Sequence, residues 1–162
     1  MDKKIYLKKE ISLRKTNNEN CPSLSTNDYL YYIKCEFIST NLNPQEEMIM
    51  KNMKKEIRKK RHSYKNQDIN KKKYNELTFI SENEIYEKLL SSNMICYYCK
   101  NPVCIFYSEV RQPDQWTLER IDNTYGHSSK NTVISCLECN IQRRNKNSNA
   151  FQFAKQLVIK KI

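Results

Sequence analysis

Two cysteine pairs of identical spacing dominate the sequence: Cys96-Tyr97-Tyr98-Cys99 and, 36 residues later, Cys136-Leu137-Glu138-Cys139. A Cys-x-x-Cys turn directs two sulfurs toward one point, and two such turns complete the tetrahedron that Zn²⁺ prefers. We therefore predict one structural Zn²⁺ ion that holds the C-terminal half of the chain together. The gap between the pairs is wider than in compact zinc ribbons, so we expect it to contain strands of its own.

The same four cysteines allow two other interpretations. Reduced cysteines can pack in a core as small hydrophobic side chains, and four thiolates can also ligate an iron–sulfur cluster. Two pairs of equal spacing favour a metal over packing, and nothing near the pairs indicates redox work, so zinc is preferred over iron. The remaining cysteines, Cys21, Cys35 and Cys104, have no partner at this spacing and are expected to pack in the core.

The chain has 162 residues, of which 38% are hydrophobic and 29% are charged. This composition predicts a modest hydrophobic core. No stretch approaches the ~20 apolar residues that cross a bilayer, and residues 1–10 lack a secretory apolar region. The sequence therefore predicts an intracellular protein of the cytoplasm, nucleus or a virus factory, neither secreted nor in a membrane. The abundance of Lys, Asn, Ile and Tyr indicates an AT-rich genome, such as that of a large DNA virus, a phage, an organelle or a protist.

The net charge of +11 is unevenly distributed. Residues 1–75 carry 18 Lys and Arg against 9 Asp and Glu, whereas residues 76–162 carry 11 against 9. We therefore divide the chain into a basic N-terminal region, 1–75, and a zinc-stabilised region, 76–162. The run Lys51–Lys73 produces a field that attracts polyanions, of which nucleic acid is the commonest inside cells. A solvated helical face without a partner is the alternative. The residues of this run expected to contact nucleic acid are Lys54, Lys55, Arg58, Lys59, Lys60 and Arg61.

A helix start lies just before this basic run. Asn43 can cap a helix, Pro44 suits its first position, and Glu46 lies where the helix dipole favours an acid. The helix is expected to run to about Tyr64, with residues 65–75 as a solvated continuation or linker. The earlier apolar runs are interpreted as strands or short packed pieces, at Lys3–Leu7, Tyr29–Ile33 and Phe37–Ile38.

A capping box, formed by Ser81 and Glu84, predicts a second helix over residues 82–91 that leads into Cys96. Strand-like runs follow at 103–107, 116–121 and 132–135, and helical patterns at 137–146 and 149–160. Trp116 is expected in the core. These elements predict an α+β fold with a mostly helical, basic N-terminal extension.

An ordered series of motifs lies between and after the cysteines. It consists of Thr117-Leu118-Glu119-Arg120-Ile121-Asp122-Asn123, Gly126-His127, Asn131-Thr132-Val133-Ile134-Ser135, Asn140 directly after Cys139, and Arg143-Arg144. Together with the cysteine pairs, this series resembles the HNH and recombination-endonuclease-VII-like nucleases, the ββα-metal or His-Me finger class. The resemblance covers about residues 94–148 and implies a small zinc-stapled ββα-metal finger in the C-terminal half.

In that family, one strand supplies an acidic metal ligand followed by a histidine general base, and a helix supplies a second ligand just after the last zinc cysteine. The resemblance places Glu119 and Asn140 at the two ligand positions of a catalytic Mg²⁺ or Mn²⁺ ion, separate from the zinc. It also implies DNA as the partner. Arg143 and Arg144, one turn into the helix after the ligands, fit phosphate contacts, although exposed arginines are common on helices.

Arg120 departs from the family pattern, because it stands where the base histidine is expected. Its guanidinium cannot accept a proton at neutral pH, although it can clamp a phosphate. His127 has the ordinary pKa of a base, and Asp122 is a second candidate. The alternatives are surface ion pairs for Glu119 and Asp122, a surface position for His127, and a capping role for Asn140.

The leading expectation is therefore a metal-dependent DNA endonuclease that hydrolyses phosphodiester bonds. Its candidate catalytic residues are Glu119, Arg120, Asp122, His127 and Asn140. The alternative is a non-catalytic, zinc-containing protein that binds nucleic acid or builds a nucleoprotein assembly with a degenerate finger. The first predicts cleavage, and the second predicts salt-dependent binding without turnover.

Overall fold

The computed structural model describes residues 22–38 and 40–157, so the predictions for Lys3–Leu7 and Cys21 lie outside the described residues. Within those ranges the fold is mixed α+β, as predicted, with five helices and one antiparallel sheet of two strands. The elements in chain order are α1 (Thr26–Cys35), α2 (Pro44–Asn70), α3 (Glu82–Ser91), β1 (Trp116–Arg120), β2 (Thr132–Cys136), α4 (Leu137–Arg143) and α5 (Ser148–Gln156).

The first described element is a helix, so the strand interpretation of Tyr29–Ile33 is wrong, whereas the alternative of a short packed piece is confirmed. Ser25 and Asp28 form a reciprocal capping box that starts α1. Tyr29, Tyr32 and Ile33 are buried at the spacing of one helical face. The apolar run therefore packs by helical periodicity, and the strand interpretation overlooked the cap before it.

Helix α2 begins as predicted, with Asn43 as its cap and Pro44 in the first turn. It runs to Asn70, past the expected end at Tyr64, so residues 65–70 are helix instead of linker. The helix ends in a Schellman motif, in which the N–H groups of Lys72 and Lys73 donate to the carbonyls of Ile69 and Asp68. Lys72 occupies the left-handed position of this motif (φ 55°), where glycine is usual.

Helix α3 confirms the predicted capping box of Ser81 and Glu84 and the predicted range. It ends in the same type of motif, with Asn93 in the left-handed position and the Met94 N–H donating to Leu89. This sharp turn is followed within two residues by the first cysteine of the cluster.

The sheet pairs Trp116 with Cys136 at one end and Arg120 with Thr132 at the other. Two of the three predicted strands are therefore confirmed. Residues 103–107 form no strand of the described sheet. Val103 and Ile105 are nevertheless buried, and Cys104 forms only an isolated bridge, so this run packs as extended core chain without a ladder.

The last two helices are shorter than predicted. Helix α4 ends at Arg143 because Arg144 adopts a positive φ of 51°, which stops the expected continuation to residue 146. Helix α5 is confirmed within the predicted 149–160 as far as Gln156, and residues 158–162 lie outside the described residues.

One hydrophobic core joins residues on both sides of the predicted division at 75/76. Ile57 of α2 and Leu89 of α3 belong to the same buried cluster as Trp116, which is fully buried as expected. The Tyr64 hydroxyl accepts a hydrogen bond from the Leu118 N–H at 3.0 Å, so α2 contacts the sheet directly. The division into two regions stays a prediction. None of the helices in the described ranges is both long and apolar enough to cross a membrane.

Candidate functional site

The four paired cysteines come together in the structure. The sulfurs of Cys96, Cys99, Cys136 and Cys139 all lie within 4.8 Å of one another, and those of Cys99 and Cys136 are 3.9 Å apart. A tetrahedral ion with ~2.3 Å metal–sulfur bonds requires its sulfurs to be about 3.8 Å apart. The cluster is therefore compatible with a single structural zinc ion. In a two-iron cluster, the cysteine sulfurs bound to different irons would lie further apart than this.

Backbone hydrogen bonds hold both turns of this cluster. The Tyr97 N–H donates to the Ile134 carbonyl of β2, which ties the first pair to the sheet. The Cys139 N–H donates to the Cys136 sulfur at the start of α4. Hydrogen bonds from the Cys136 thiol and from backbone N–H groups lower the pKa of Cys96, whereas the neighbouring Cys96 sulfur and burial raise the pKa values of Cys136 and Cys139. Cys35 and Cys104 lie apart, partly buried against the core, as expected.

A cleft of about 650 Å³ lies between α2, the sheet and the start of α4. Four of the five candidate catalytic residues line it: Glu119, Arg120, His127 and Asn140. The fifth, Asp122, is exposed and does not line it. Its carboxylate accepts a hydrogen bond from the Thr124 N–H at 2.8 Å, an interaction that lowers the pKa of Asp122 and stabilises the turn after β1.

His127 is held by an aspartate from the N-terminal region. Its Nδ1 lies 2.8 Å from Oδ1 of Asp68, and its backbone N–H donates to Oδ2 at 2.6 Å. The imidazole also stacks near the Tyr64 ring, with centroids 4.7 Å apart. Burial lowers the pKa of His127 despite the neighbouring carboxylate, so the ring is neutral at pH 7. Because the Nδ1–H group donates a hydrogen bond to Asp68, Nε2 is the ring nitrogen that can accept a proton.

Gly126, the chain's single glycine, allows this arrangement. A Cβ at residue 126 would lie 2.4 Å from the Lys73 carbonyl oxygen and 2.8 Å from Oδ2 of Asp68. Any larger residue would therefore push the loop away from the end of α2. Because residue 126 has no side chain, the two backbone segments can approach closely, and this approach brings Asp68 to His127.

Glu119 is buried and paired with Arg143. Both Nε and Nη2 of Arg143 contact Oε1 of Glu119, at 2.6 and 2.5 Å. Arg143 is 2% exposed and also donates to the carbonyls of Arg120 and Lys146. Arg143 therefore joins α4 to β1 inside the protein, and it does not occupy the phosphate-contacting position expected from the sequence. Its neighbour Arg144 is exposed and lines the cleft.

The Glu119 carboxylate keeps one oxygen outside this pair, because both arginine contacts fall on Oε1. Burial raises the pKa of Glu119, and the attraction of Arg143 opposes that rise. The alternative interpretation of Glu119 as part of a surface ion pair is therefore wrong. Glu119 pairs with a buried arginine and lines the cleft.

Asn140 is oriented by the sheet. Its Nδ2 donates to Oγ1 of Thr117 at 3.2 Å, and that hydroxyl donates in turn to the Ser135 carbonyl at 3.0 Å. Because the amide nitrogen faces the sheet, the amide oxygen is left for the cleft that Asn140 lines. An amide oxygen in this position is a suitable ligand for a hard divalent cation.

Arg120 lies near the aspartate that holds the histidine, and it lines the same cleft. Its Nη1 donates to the Tyr125 carbonyl at 3.3 Å and lies 3.7 Å from Oδ1 of Asp68. The guanidinium therefore shares Asp68 with His127. It is partly exposed toward the cleft, where a planar cation can contact a phosphate.

The six basic residues of α2 predicted to contact nucleic acid fall into three groups. Three of them tie the helix to the rest of the fold: Lys54 contacts Glu36 at 2.7 Å, Arg58 contacts Glu82 at 2.9 Å, and Arg61 donates to the Ile80 carbonyl at 2.8 Å. Lys55 is exposed on the helix surface. Lys59 and Lys60 line the cleft.

Lys60 is the most constrained of these cations. Its ammonium donates to the Trp116 carbonyl and to Oε1 of Gln115, and it lies over the rings of Trp116 and Tyr107. Loss of hydration on burial lowers the pKa of Lys60 to about 7. The charge on this wall of the cleft therefore changes near neutral pH.

Sequence reasoning missed Asp68, the partner of His127, and gave Lys71 and Lys73 no individual role, although both line the cleft. Asp68 and Lys71 fall in the segment interpreted as a solvated continuation or linker. The signal available was the four-residue spacing of Tyr64 and Asp68, which places both on one face of a helix that continues past residue 64.

No protein-family model, curated protein or solved structure matches the chain.

Proposed function

We propose that this protein is a metal-dependent endonuclease that hydrolyses phosphodiester bonds, with DNA as its expected substrate. The observation that carries the proposal is the cleft, which combines a positioned neutral histidine, His127, with two oxygen ligands, Glu119 and Asn140, and an arginine, Arg120. Each of these side chains has a fixed orientation supported by its own partners, as catalysis requires.

The charge of the cleft supports a polyanionic substrate. Its lining carries one carboxylate, Glu119, against six Lys and Arg side chains. These side chains are Lys59, Lys71, Lys73, Arg120 and Arg144, together with Lys60, whose pKa burial lowers to about 7. A concave surface with this excess of positive charge concentrates phosphodiesters near the candidate catalytic groups.

His127 supplies the general base in this proposal. Its Nδ1–H is held by Asp68, so Nε2 takes a proton from the attacking water. The water oxygen forms a bond to phosphorus while the bond from phosphorus to the 3′ oxygen breaks. The 3′ oxygen leaves with the electron pair of that bond and takes a proton from solvent, and the proton on Nε2 returns to solvent. Asp68 is a positioning residue, because it orients the ring and stabilises the protonated form.

Arg120 contacts a non-bridging phosphate oxygen in this proposal, and its planar guanidinium holds the phosphate for in-line attack. Its position near Asp68 in the lining of the cleft explains how an arginine fits where the resemblance expects a base. The proton-accepting role then belongs to His127, which the strand-connecting loop brings to the same cleft.

The donor set fits a hard divalent cation such as Mg²⁺ or Mn²⁺. Asn140 presents its amide oxygen because Thr117 binds its nitrogen, and Glu119 retains one carboxylate oxygen beside Arg143. Glu119 and Asn140 would hold such an ion, which would supply stabilisation of negative charge on the leaving oxygen and on the phosphate oxygens. We further propose that the cysteine cluster binds Zn²⁺ in a structural role, since its four sulfurs leave no open position for substrate.

The test is cleavage of supercoiled plasmid and of labelled single-stranded DNA with added Mg²⁺ or Mn²⁺. We expect cleavage by the wild type and losses of at least about 100-fold in His127→Ala and Asn140→Ala. Two exposed residues of the same types, His62 and Asn83, provide the controls His62→Ala and Asn83→Ala, which should cleave normally. No cleavage by the wild type, or full activity in both cleft variants, would refute the proposal.

The second candidate function is nucleic-acid binding without hydrolysis. The ion pair between Arg143 and Glu119 favours it, because one of the two candidate metal ligands already has a counter-ion. This candidate predicts that DNA binding weakens steeply with salt, and that added Mg²⁺ neither binds in the cleft nor produces cleavage.

A further inference from the structure

A second hollow, of about 580 Å³, shares Lys73 with the cleft. Three lysines line it, Lys72, Lys73 and Lys130, together with Tyr125 and small polar residues. No Asp or Glu is among the described residues that line this hollow. The lining is therefore positively charged, although Asp122 attracts Lys73 from nearby, and a positive lining matches a phosphate-bearing ligand.

Lys72 occupies an unusual backbone position in this hollow. It takes the left-handed position of the Schellman motif that ends α2, with φ 55°, where glycine avoids a steric cost. A lysine at this position gives up local stability and adds a cation to the hollow.

Tyr125 connects the hollow to the cleft. Its side chain is 65% exposed, an unusual degree for an aromatic ring, while its carbonyl accepts a hydrogen bond from Nη1 of Arg120. That bond fixes the Tyr125 backbone beside a residue that lines the cleft. An exposed ring at this position can stack on a nucleic-acid base.

We propose that the second hollow binds a single-stranded segment of nucleic acid that continues from the cleft across Lys73. Lys72 and Lys130 contact its phosphates, and Tyr125 stacks on one of its bases. This inference rests on the proposed function and adds a substrate class: DNA in which the strand next to the cleaved bond is unpaired. An unpaired strand is required because a base stacked within a duplex does not offer its face to a tyrosine ring.

The test is fluorescence anisotropy with a labelled single strand and the duplex of the same sequence, in buffer without added Mg²⁺. We expect Tyr125→Ala to weaken single-strand binding about 5- to 50-fold, Tyr125→Phe to bind like the wild type, and duplex affinity to change little. Lys130→Gln should weaken single-strand binding and reduce the slope of log affinity against log salt by about 0.7. Lys34→Gln, on exposed α1 surface outside both cavities, is the matched control.

Unchanged single-strand affinity in both Tyr125→Ala and Lys130→Gln, with folds intact by circular dichroism, would overturn the inference, as would a wild type that does not bind single strands. Neither result touches the cleavage assay, so the proposed hydrolysis can still succeed. Conversely, Tyr125-dependent strand binding without any cleavage would support this site and refute the hydrolytic function.

Discussion

The carboxylate of Asp68 binds His127 at two points, with Oδ1 2.8 Å from the ring Nδ1 and Oδ2 2.6 Å from the backbone nitrogen. The two residues come from different parts of the chain, the last turns of α2 and the loop between the two strands. A single side chain therefore fixes both the ring and the loop that carries it. The long basic helix is consequently a wall of the candidate site, as well as a source of positive charge.

This contact gives the folded protein a specific pH dependence. Burial lowers the pKa of His127 in the folded state below its ordinary value of 6.5, so the unfolded chain binds the proton more readily. The free energy of unfolding therefore falls as pH drops from about 6.5 toward the lower folded-state pKa, by at most about 1.4 kcal/mol per pH unit. Thermal unfolding from pH 7.5 to 5.5 should show this loss in the wild type and a flatter profile in His127→Gln.

The other histidine supplies the control for that measurement. His62 is exposed on α2, so His62→Gln should retain the wild-type dependence on pH. An identical pH profile for wild type and His127→Gln would show that His127 is not buried as a neutral base. Protonation of the cysteine cluster at low pH affects all three proteins alike and cancels in the comparison.

Removing one partner of the buried pair of Arg143 and Glu119 should destabilise the protein strongly, whereas removing both charges should cost much less. Removal of the arginine in Arg143→Met leaves the Glu119 carboxylate buried without its counter-ion, which typically costs roughly 3–5 kcal/mol. The double variant Arg143→Met with Glu119→Gln removes both charges and should recover a large part of that loss. Urea unfolding at pH 7 measures both.

Arg144→Met is the matched control, because Arg144 is exposed and adjacent in sequence. Its free energy of unfolding should stay within about 0.5 kcal/mol of the wild type. Equal losses in Arg143→Met and Arg144→Met would contradict the internal position of Arg143.

The parts of this fold that the sequence predicted correctly are those with local chemical markers. The cap at Asn43 and the capping box at Ser81 identified two helix starts, and the spacing of the four cysteines identified the cluster. The helix ends were harder, because a chain with one glycine uses Lys72 and Asn93 in left-handed positions that glycine normally marks. Without that marker, the predicted end of α2 at Tyr64 falls six residues before its actual end at Asn70.

The candidate site was only half predictable for a related reason. Glu119, Arg120, His127 and Asn140 follow from motif order, and they do line one cleft. Asp68 carries no motif, since its role depends on a tertiary contact 59 residues along the chain. Charge alone likewise could not distinguish Arg143, which is buried with protein partners, from Arg144, which faces the cleft.

Gly126 should be intolerant of even the smallest side chain. The methyl group of Gly126→Ala would lie 2.4 Å from the Lys73 carbonyl oxygen, a backbone atom that cannot rotate away. We expect a loss of about 1–3 kcal/mol, measured by thermal or urea unfolding, because the loop and the end of α2 must separate. Lys130→Ala, at an exposed position in the same loop, should have almost no effect on unfolding. A Gly126→Ala variant as stable as the wild type would show that the two segments do not meet this closely.

Metal content tests the cysteine cluster most directly. The purified protein should contain about one zinc per chain, and Cys136→Ser should lose it together with much of its helical circular dichroism signal, because metal binding and folding share one free energy. Cys136 both belongs to the cluster and caps α4, the helix that carries Asn140 and Arg143. Cys104→Ser is the matched control, since Cys104 lies outside the cluster and burial raises the pKa of its thiol to about 12. Iron in place of zinc would support the iron–sulfur alternative. A metal-free wild type would leave core packing as the role of all four sulfurs.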